Sequence, residues 1–428
     1  MKLLWLAGGS LAIGAILAQQ PPRPSDAVQR LVKEGQAAIQ HGDATAALDA
    51  YQKALALAPD SAEFEDEVGF LLAVLQRTQE AIGHFQKAIA LKDDYAPAHF
   101  HLGGAYCVES NWDRCIPEME KAAHLVPQSF EYRSQLGKAL LADEQYAGAA
   151  SELKAAAALR PDDADNWNRL GAALQNSNDL AGAVEAYGRA TQANPRNIDA
   201  KNNYGLMLMQ TREADKAIAE FRKVLEADPS NATASLNIGI ALMLKGDSDG
   251  ALAQLRSVVQ AHPEMATAHY NLGLALKNKD QLDAARAEFE KTIELAPDLA
   301  EAHYTLGISY WQAGDFDRTI AQMKDAVRIR PDYGEAWFIL GTALKQKGNS
   351  DDAISALREA IRLRPDDPGP YNTLGQLLRA KGDIEGSKAA FAQGASIKAR
   401  KEAGLADMLN HGEASLPAAR KPDSNVRP

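Results

Sequence analysis

The chain reads "AHYNLG" at residues 268–273 and "AHYTLG" at residues 302–307, the same hexamer but for one letter, 34 residues apart. Self-similarity at a fixed period of this size is the mark of a repeat architecture, in which each unit buries its apolar face only against the next. The period extends well beyond these two copies. Prolines stand at Pro59, Pro127, Pro161, Pro195, Pro229, Pro263, Pro297, Pro331 and Pro365, with Asp93 in the one missing place. Twenty-four residues before each of these ten positions lies a glycine, from Gly35 to Gly341, and the series ends at Gly375. Eleven glycines in one arithmetic series, uninterrupted by any insertion, define eleven units.

Each unit reads as two helices. The first carries apolar residues around the glycine, as in Tyr270 to Leu276. A polar turn such as Gly42–Asp43 or Gly314–Asp315 then supplies a helix stop and a helix start. The second helix keeps a three-to-four spacing, as in Ala285, Phe289 and Ile293, until proline ends it. After the proline, Asp60 with Glu63, Asp298 with Glu301 and Asp332 with Glu335 have capping-box spacing. Small residues twelve positions after each glycine, such as Ala47, Cys115 and Thr319, let the two helices approach. Large ones four further on, such as Tyr51, Phe85 and Met323, are expected to fill the space between neighbouring units.

This pattern resembles the tetratricopeptide repeat family. Trp167 and Trp337 stand at the family's Trp position, and its Leu-Gly, Ala, Phe/Tyr, Ala and Pro positions recur throughout. The departures are Asp93 for Pro, Glu65 at the Trp position, Pro117 within a second helix, which should bend it, and Gly394 where Ala is usual. The resemblance implies an all-α, right-handed superhelical solenoid of about eleven 34-residue helix-turn-helix units. A C-terminal capping helix, KARKEAGLADMLN, is expected after them. The resemblance also implies a binding scaffold rather than an enzyme. The organisation expected is a signal peptide or anchor at 1–18, a Pro-rich spacer at 19–27, the array at 28–401, and the end of the capping helix with a disordered tail at 402–428.

The residues before the array concern location. Lys2 is followed by an apolar run from Leu3 to Ala18, which as a helix reaches roughly 24 Å, short of a hydrocarbon core of about 30 Å. Ala18 before QQPPRP has the form of a cleavage point, so export to a periplasm or the exterior is expected, with anchoring by residues 3–18 as the alternative. The formal net charge of −11 argues against nucleic acid as a partner.

Function is sought on the first helices, since the fold alone does not specify it. Asn203, Asn237 and Asn271, two residues before their glycines, would form a ladder able to hold a peptide backbone, as in some members of the family. Tyr270, Tyr304 and Phe338 lie one residue earlier in their units, and Leu206, Ile240, Leu274 and Ile308 one after the glycine. With Trp311 they suggest an apolar strip for an extended segment or helix of a partner protein. Consensus packing is the plainer reading of both rows. A Lys-Asn-Arg set that clamps a terminal carboxylate in some members is not matched, the positions holding residues such as Val32, Gln36 and Glu67.

No catalytic residue, metal site or cofactor is expected. His99, His269 and His303 share one repeat position, so they are spaced by the period rather than brought together. Acidic pairs such as Asp162–Asp163 fall where caps are needed. Cys107 and Cys115 invite a disulfide, but packed helix axes about 8–10 Å apart with an axial offset would exceed the roughly 7 Å Cα limit, so two separate buried thiols are expected. Two other functional readings stay open: an adaptor for an enzyme supplied in trans, such as a glycosyltransferase, and self-association through solenoid ends.

Overall fold

The computed structural model describes residues 26–412, with side chains through 403. The expected leader, most of the spacer and the tail from 413 lie outside the described residues. Among the described residues there are 22 helices and no strand, arranged as eleven consecutive pairs. The described residues divide into two compact bodies, a first half that ends at Asn237 and a second half that begins at Ile238. Within each, a first helix packs on the second helix of its own unit, and that on the first helix of the next. No described helix is long and apolar enough to cross a membrane.

The periodic glycine exists because of one side chain. A Cβ at Gly35, Gly69, Gly171 or Gly205 would lie 2.6–2.7 Å from the ring of Tyr51, Phe85, Tyr187 or Phe221, sixteen residues on. The large residue thus sits over the glycine of its own unit, not only between units as the sequence suggested. The small residue twelve positions on faces the same place: Ser387 Oγ donates to the Gly375 carbonyl at 2.8 Å.

The turn inside each unit is more uniform than its letters. The residue seven after the glycine has positive φ in all eleven units: Gly42, Gly246, Gly314, Gly348 and Gly382, but also Gln76, Ser110, Glu144, Asn178, Arg212 and Asp280. Each turn is a Schellman closure; in the first unit Gly42 N–H donates to the Ile39 carbonyl and Asp43 N–H to that of Ala38. Asp43, Asp179, Asp247, Asp315 and Asp383 then cap the second helix. A side chain in this conformation costs about 1–2 kcal/mol, less the entropy that glycine loses on folding. Arg212→Gly is therefore expected to stabilise by up to about 1 kcal/mol in urea unfolding followed by circular dichroism. Gly314→Ala, where a Cβ meets nothing within 4 Å, is expected to destabilise by about 1 kcal/mol through the backbone alone.

The expected capping boxes do not form. The cap lies two residues after the proline, because the Pro-x pair is consumed by the turn. Ser61, Ser129, Asp163, Asn197 and Asn231 accept from the backbone N–H three residues on, while Leu299 and Tyr333 occupy the cap without a side-chain bond. The glutamates reach instead to the end of their own second helix: Glu301 to Arg330 at 2.7 Å, Glu335 to Arg364 at 3.1 Å, Glu63 to Lys92 at 3.9 Å.

Two further expectations change. The final helix, Ile384–Gly412, is a single helix of 29 residues, so the array ends by extending its last second helix rather than adding a capping one. Cys107 and Cys115 form a disulfide, with Cα atoms 5.1 Å apart. The separation of mid-helix axes does not apply, because Cys107 is in the last turn of α5 (Ala96–Val108) and Cys115 in the first turn of α6 (Trp112–Leu125), where the helices converge on their turn. Helix α6 continues unbroken through Pro117. Thiol titration of unreduced protein is expected to find no free thiol, and reduction to lower stability by about 2 kcal/mol.

Candidate functional site

The residue four before each glycine, the Trp position, ties three segments together. His99, His269 and His303 each place Nε2 3.0–3.1 Å from the carbonyl six residues back, of Asp93, Pro263 and Pro297. Their Nδ1 atoms face the side chain nineteen residues on, Glu118, Glu288 and Gln322. Trp167 and Trp337 donate from Nε1 to the Pro161 and Pro331 carbonyls. Arg133 donates to the Pro127 carbonyl and to Glu152. In the second unit the pair is exchanged, with Glu65 facing His84 at 2.5 Å. These side chains are joints between units. Among the described residues, no three His, Cys, Asp or Glu side chains gather as a metal ligand set.

A second joint was not visible in the sequence because its spacing, 35 residues, is not the period. It links the row three before the glycine in one unit to the row two before it in the next. Asp66 Oδ1 meets His101 Nδ1 at 2.8 Å, Asn203 Nδ2 donates to Asn168 Oδ1 at 3.0 Å, and the Tyr270 and Thr305 hydroxyls lie 3.2 Å apart.

In the first half, these joints locate the predicted asparagines. Asn203 is half-buried and committed to Asn168 on α9 (Ala164–Asn176). Asn237 is only 7% exposed, so it offers little to a ligand. Leu206, on α11 (Ile198–Gln210), is 45% exposed, whereas Met207 and Leu208 beside it are buried. Nearby, Gln175 donates to Gln210 at 3.4 Å.

In the second half, Asn271 donates to the Thr267 carbonyl of its own helix at 2.7 Å. Tyr270 lies against Phe289 (5.9 Å between centroids), Tyr304 against Tyr333 (4.8 Å) and Trp311 edge-on to Phe316 (5.2 Å). Phe338 covers Gly369 of the next unit, where a Cβ would be 3.0 Å away. Tyr304, Ile308 and Phe338 pack against the cluster around Met323 and Leu340. Ile240, Leu274 and Ile308 are half-buried. The aromatic row thus does packing work, and each of its rings is half-buried.

Charge on the inner rows of the first half is uneven. Burial works against a charged His101, but Asp66 and Glu67 outweigh it and hold the imidazole above its usual range. Glu67 is pushed up by burial and by Asp66, with His101 opposing. Lys138 is lowered by burial and by the neighbouring Arg169. The sequence showed these residues singly; that they face one another follows only from stacking.

A model of the tetratricopeptide repeat matches residues 32–96, 168–232, 236–300 and 304–368. No curated protein matches the chain. Among solved structures, a crystal structure of MamA is 30% identical over 38% of this chain and 94% of its own, with a TM-score of 0.35. YrrB, described as a TPR protein with an unusual peptide-binding site, is 26% identical over 47% of this chain and 100% of its own, at 0.36. Yeast Tom70 is 15% identical over 90% of this chain and 96% of its own, at 0.47.

Proposed function

The chain belongs to the tetratricopeptide repeat family, and from that membership we propose that it holds an extended segment, or a helix, of a partner protein against the inner rows of its first helices. The family makes it a protein–protein interaction scaffold, a fold that typically carries no catalysis. The observation that supports this particular face is Leu206, a large apolar side chain 45% exposed in the middle of a first helix whose neighbours Met207 and Leu208 are buried. A leucine left wet beside side-chain amides is a suitable foothold for a partner's apolar group, with Asn203 and Asn168 offering donors and acceptors at its edge.

We further infer that it works outside the cytosol. The apolar run from Leu3 to Ala18 with its small terminal residue and the Cys107–Cys115 bridge both suit an oxidising, exported setting.

The test is Leu206→Glu. An exposed substitution of this kind should change stability by no more than about 0.5 kcal/mol, so the circular dichroism melt should be unchanged. Capture of native partners by crosslinking and mass spectrometry is expected to fall at least roughly tenfold, equivalent to about 1.4 kcal/mol. Full recovery of the same partners by the folded variant would dismiss this face.

A further inference from the structure

We propose that the turn-side edge of the inner face in the second half receives an acidic, extended segment of the partner protein, with its carboxylates against Lys277, Lys345 and Arg379 and an aromatic side chain beside Trp311. This rests on the reading of the first helices as the binding face and names the chemistry of what that face takes.

Lys277, Trp311, Lys345 and Arg379 each stand four residues after the periodic glycine. They lie in the last turns of four successive first helices, α15 (Ala266–Asn278), α17 (Ala300–Gln312), α19 (Gly334–Gln346) and α21 (Pro368–Ala380). Equivalent positions on stacked helices form a row, here one turn beyond Leu274 and Ile308 on the same side of their helices. Arg379 is exposed and the other three are half-buried. No cation holds this register in the first half, where the last turns of α3 (Ala62–Val74), α5, α7 (Phe130–Ala142), α9 and α11 contain no basic residue. A cation in a last turn complements the helix dipole, but that advantage is open to every first helix and does not confine the row to one half.

Two residues further on, a second row of lysines is fully matched. Lys279 and Lys347 reach aspartates one unit back, Asp249 at 3.0 Å and Asp317 at 2.9 Å, and Lys381 pairs likewise with Asp351. For the first row the fold supplies no such carboxylate. Lys277 and Arg379 make no ion pair among the described residues, and Lys345 donates to the neutral amide of Gln376. Asp280, three residues after Lys277, occupies the left-handed turn position and is not paired with it. Acidic residues outnumber basic ones in this chain, 57 to 46, so three cations left without carboxylates in one register suit acidic groups brought by a partner.

The aromatic member of the row sits where the second row is interrupted. Ala313 stands in place of a lysine, and an open hollow of about 340 Å³ lies there, lined by Ala313, Gly314, Asp315, Phe316, Asp317 and Lys347. Its two carboxylates are already engaged, Asp315 by Arg318 and Asp317 by Lys347. Phe316 is edge-on to Trp311 at 5.2 Å, so a side chain entering the hollow meets one aromatic ring and lies beside another. An aromatic residue of the partner fits that surrounding. First helices of successive units about 10 Å apart correspond to about three residues of extended chain per unit, which sets the spacing of the acidic groups around the aromatic one.

The experiment uses the full chain and three fluorescent peptides of about thirteen residues. Each has Phe at its centre and Glu, Gln or Lys three and six residues to either side, so that it reads alike in both directions. Anisotropy at low salt is expected to rank them Glu, Gln, Lys, with the Glu peptide bound roughly tenfold more tightly than the Gln peptide. That preference should fall below about twofold near 0.5 M salt and in the Lys277→Gln/Lys345→Gln/Arg379→Gln variant, checked for an unchanged melt. Arg379→Gln alone, at an exposed position, should weaken the Glu peptide by roughly twofold. Lys324→Gln/Arg358→Gln, which removes two exposed cations from second helices, should keep the full preference. Equal binding of the Glu and Gln peptides, a preference that survives the triple variant, or its loss in the second-helix variant overturns the proposal, as does the absence of any binding at about 1 mM. Each of these leaves the inner-face reading to its own readout, the dependence of partner capture on Leu206 in the first half.

Discussion

Gly273→Val is expected to destabilise the second half by about 3 kcal/mol, the larger of the effects that a single added side chain should have in this fold. A Cβ at residue 273 would lie 2.5 Å from Phe289 Cε1 and 2.7 Å from Cδ1, well inside van der Waals contact. Phe289 cannot swing away, since it is fully buried and Tyr270 lies against its ring. Valine adds two methyl groups to that clash, so either the ring leaves its rotamer or α15 (Ala266–Asn278) moves off α16 (Leu282–Leu295). Gly273→Ala should cost less, about 2 kcal/mol. The decisive comparison is the same change in a Phe289→Ala background. There the cavity accommodates the methyl group, and alanine should become the better residue by up to about 1 kcal/mol through helix propensity. Because long repeat arrays need not unfold in a single step, the readout should be hydrogen exchange in α15 and α16 alongside urea unfolding. Unaltered exchange in Gly273→Val would refute the account of why this glycine recurs.

The same contact shows how far the sequence can be read. The eleven glycines and their large partners sixteen residues on were legible as a period, because every unit must repeat the packing that lets the next one stack. What the period does not encode is the identity of the partner of each row. Glu301 and Glu335 have capping-box spacing from Asp298 and Asp332, yet pair with Arg330 and Arg364, since the short turn after proline shifts the cap by one residue. Local spacing competes there with contacts made 29 residues away. Arg212 and Gln76 could not be recognised as left-handed turn residues from their own propensities; the turn is imposed by the helix pair it closes. For the candidate face, the rows were legible but their exposure was not. Asn237 and Leu206 look equally available in sequence, and stacking buries the first while leaving the second open. The cysteine pair was misjudged for a similar reason, because interaxial distance is a mid-helix quantity and these two residues flank a turn.

Removal of the Asp66 carboxylate should cost about 3 kcal/mol at pH 6, since it strands a buried cation. His101 is 7% exposed and Asp66 4%, and the imidazole is surrounded by the rings of Phe70, Phe85 and Phe100 at 5.3, 5.6 and 5.8 Å. The groups facing it are Asp66 and Glu67 from α3, the apolar Phe85 from α4 (Thr78–Leu91), and Phe100 on its own helix. Tyr132 of α7, stacked on Phe100 at 4.6 Å, is pushed up to about 12 by burial and by Asp66, so it stays neutral throughout the relevant range. Burial opposes the charged ring, but the two carboxylates prevail and raise its pKa in the folded chain. A raised value means that the folded state binds the proton more tightly than the unfolded one. The contribution is therefore complete below about pH 6.5, the ordinary value for histidine, and is lost as pH rises through the folded-state value. Glu67, also raised, acts with the same sign at lower pH. The urea midpoint of the wild-type chain is accordingly expected to fall from pH 6.5 towards pH 9, and Asp66→Ala to flatten that slope while lowering the midpoint at pH 6. Asp66→Leu/His101→Phe should recover most of the loss at every pH, because an apolar pair of similar volume avoids the desolvation that the ionic pair must overcome. A pH slope that persists in this double variant would place the titrating group elsewhere in the chain and leave the Asp66–His101 joint an ordinary neutral hydrogen bond.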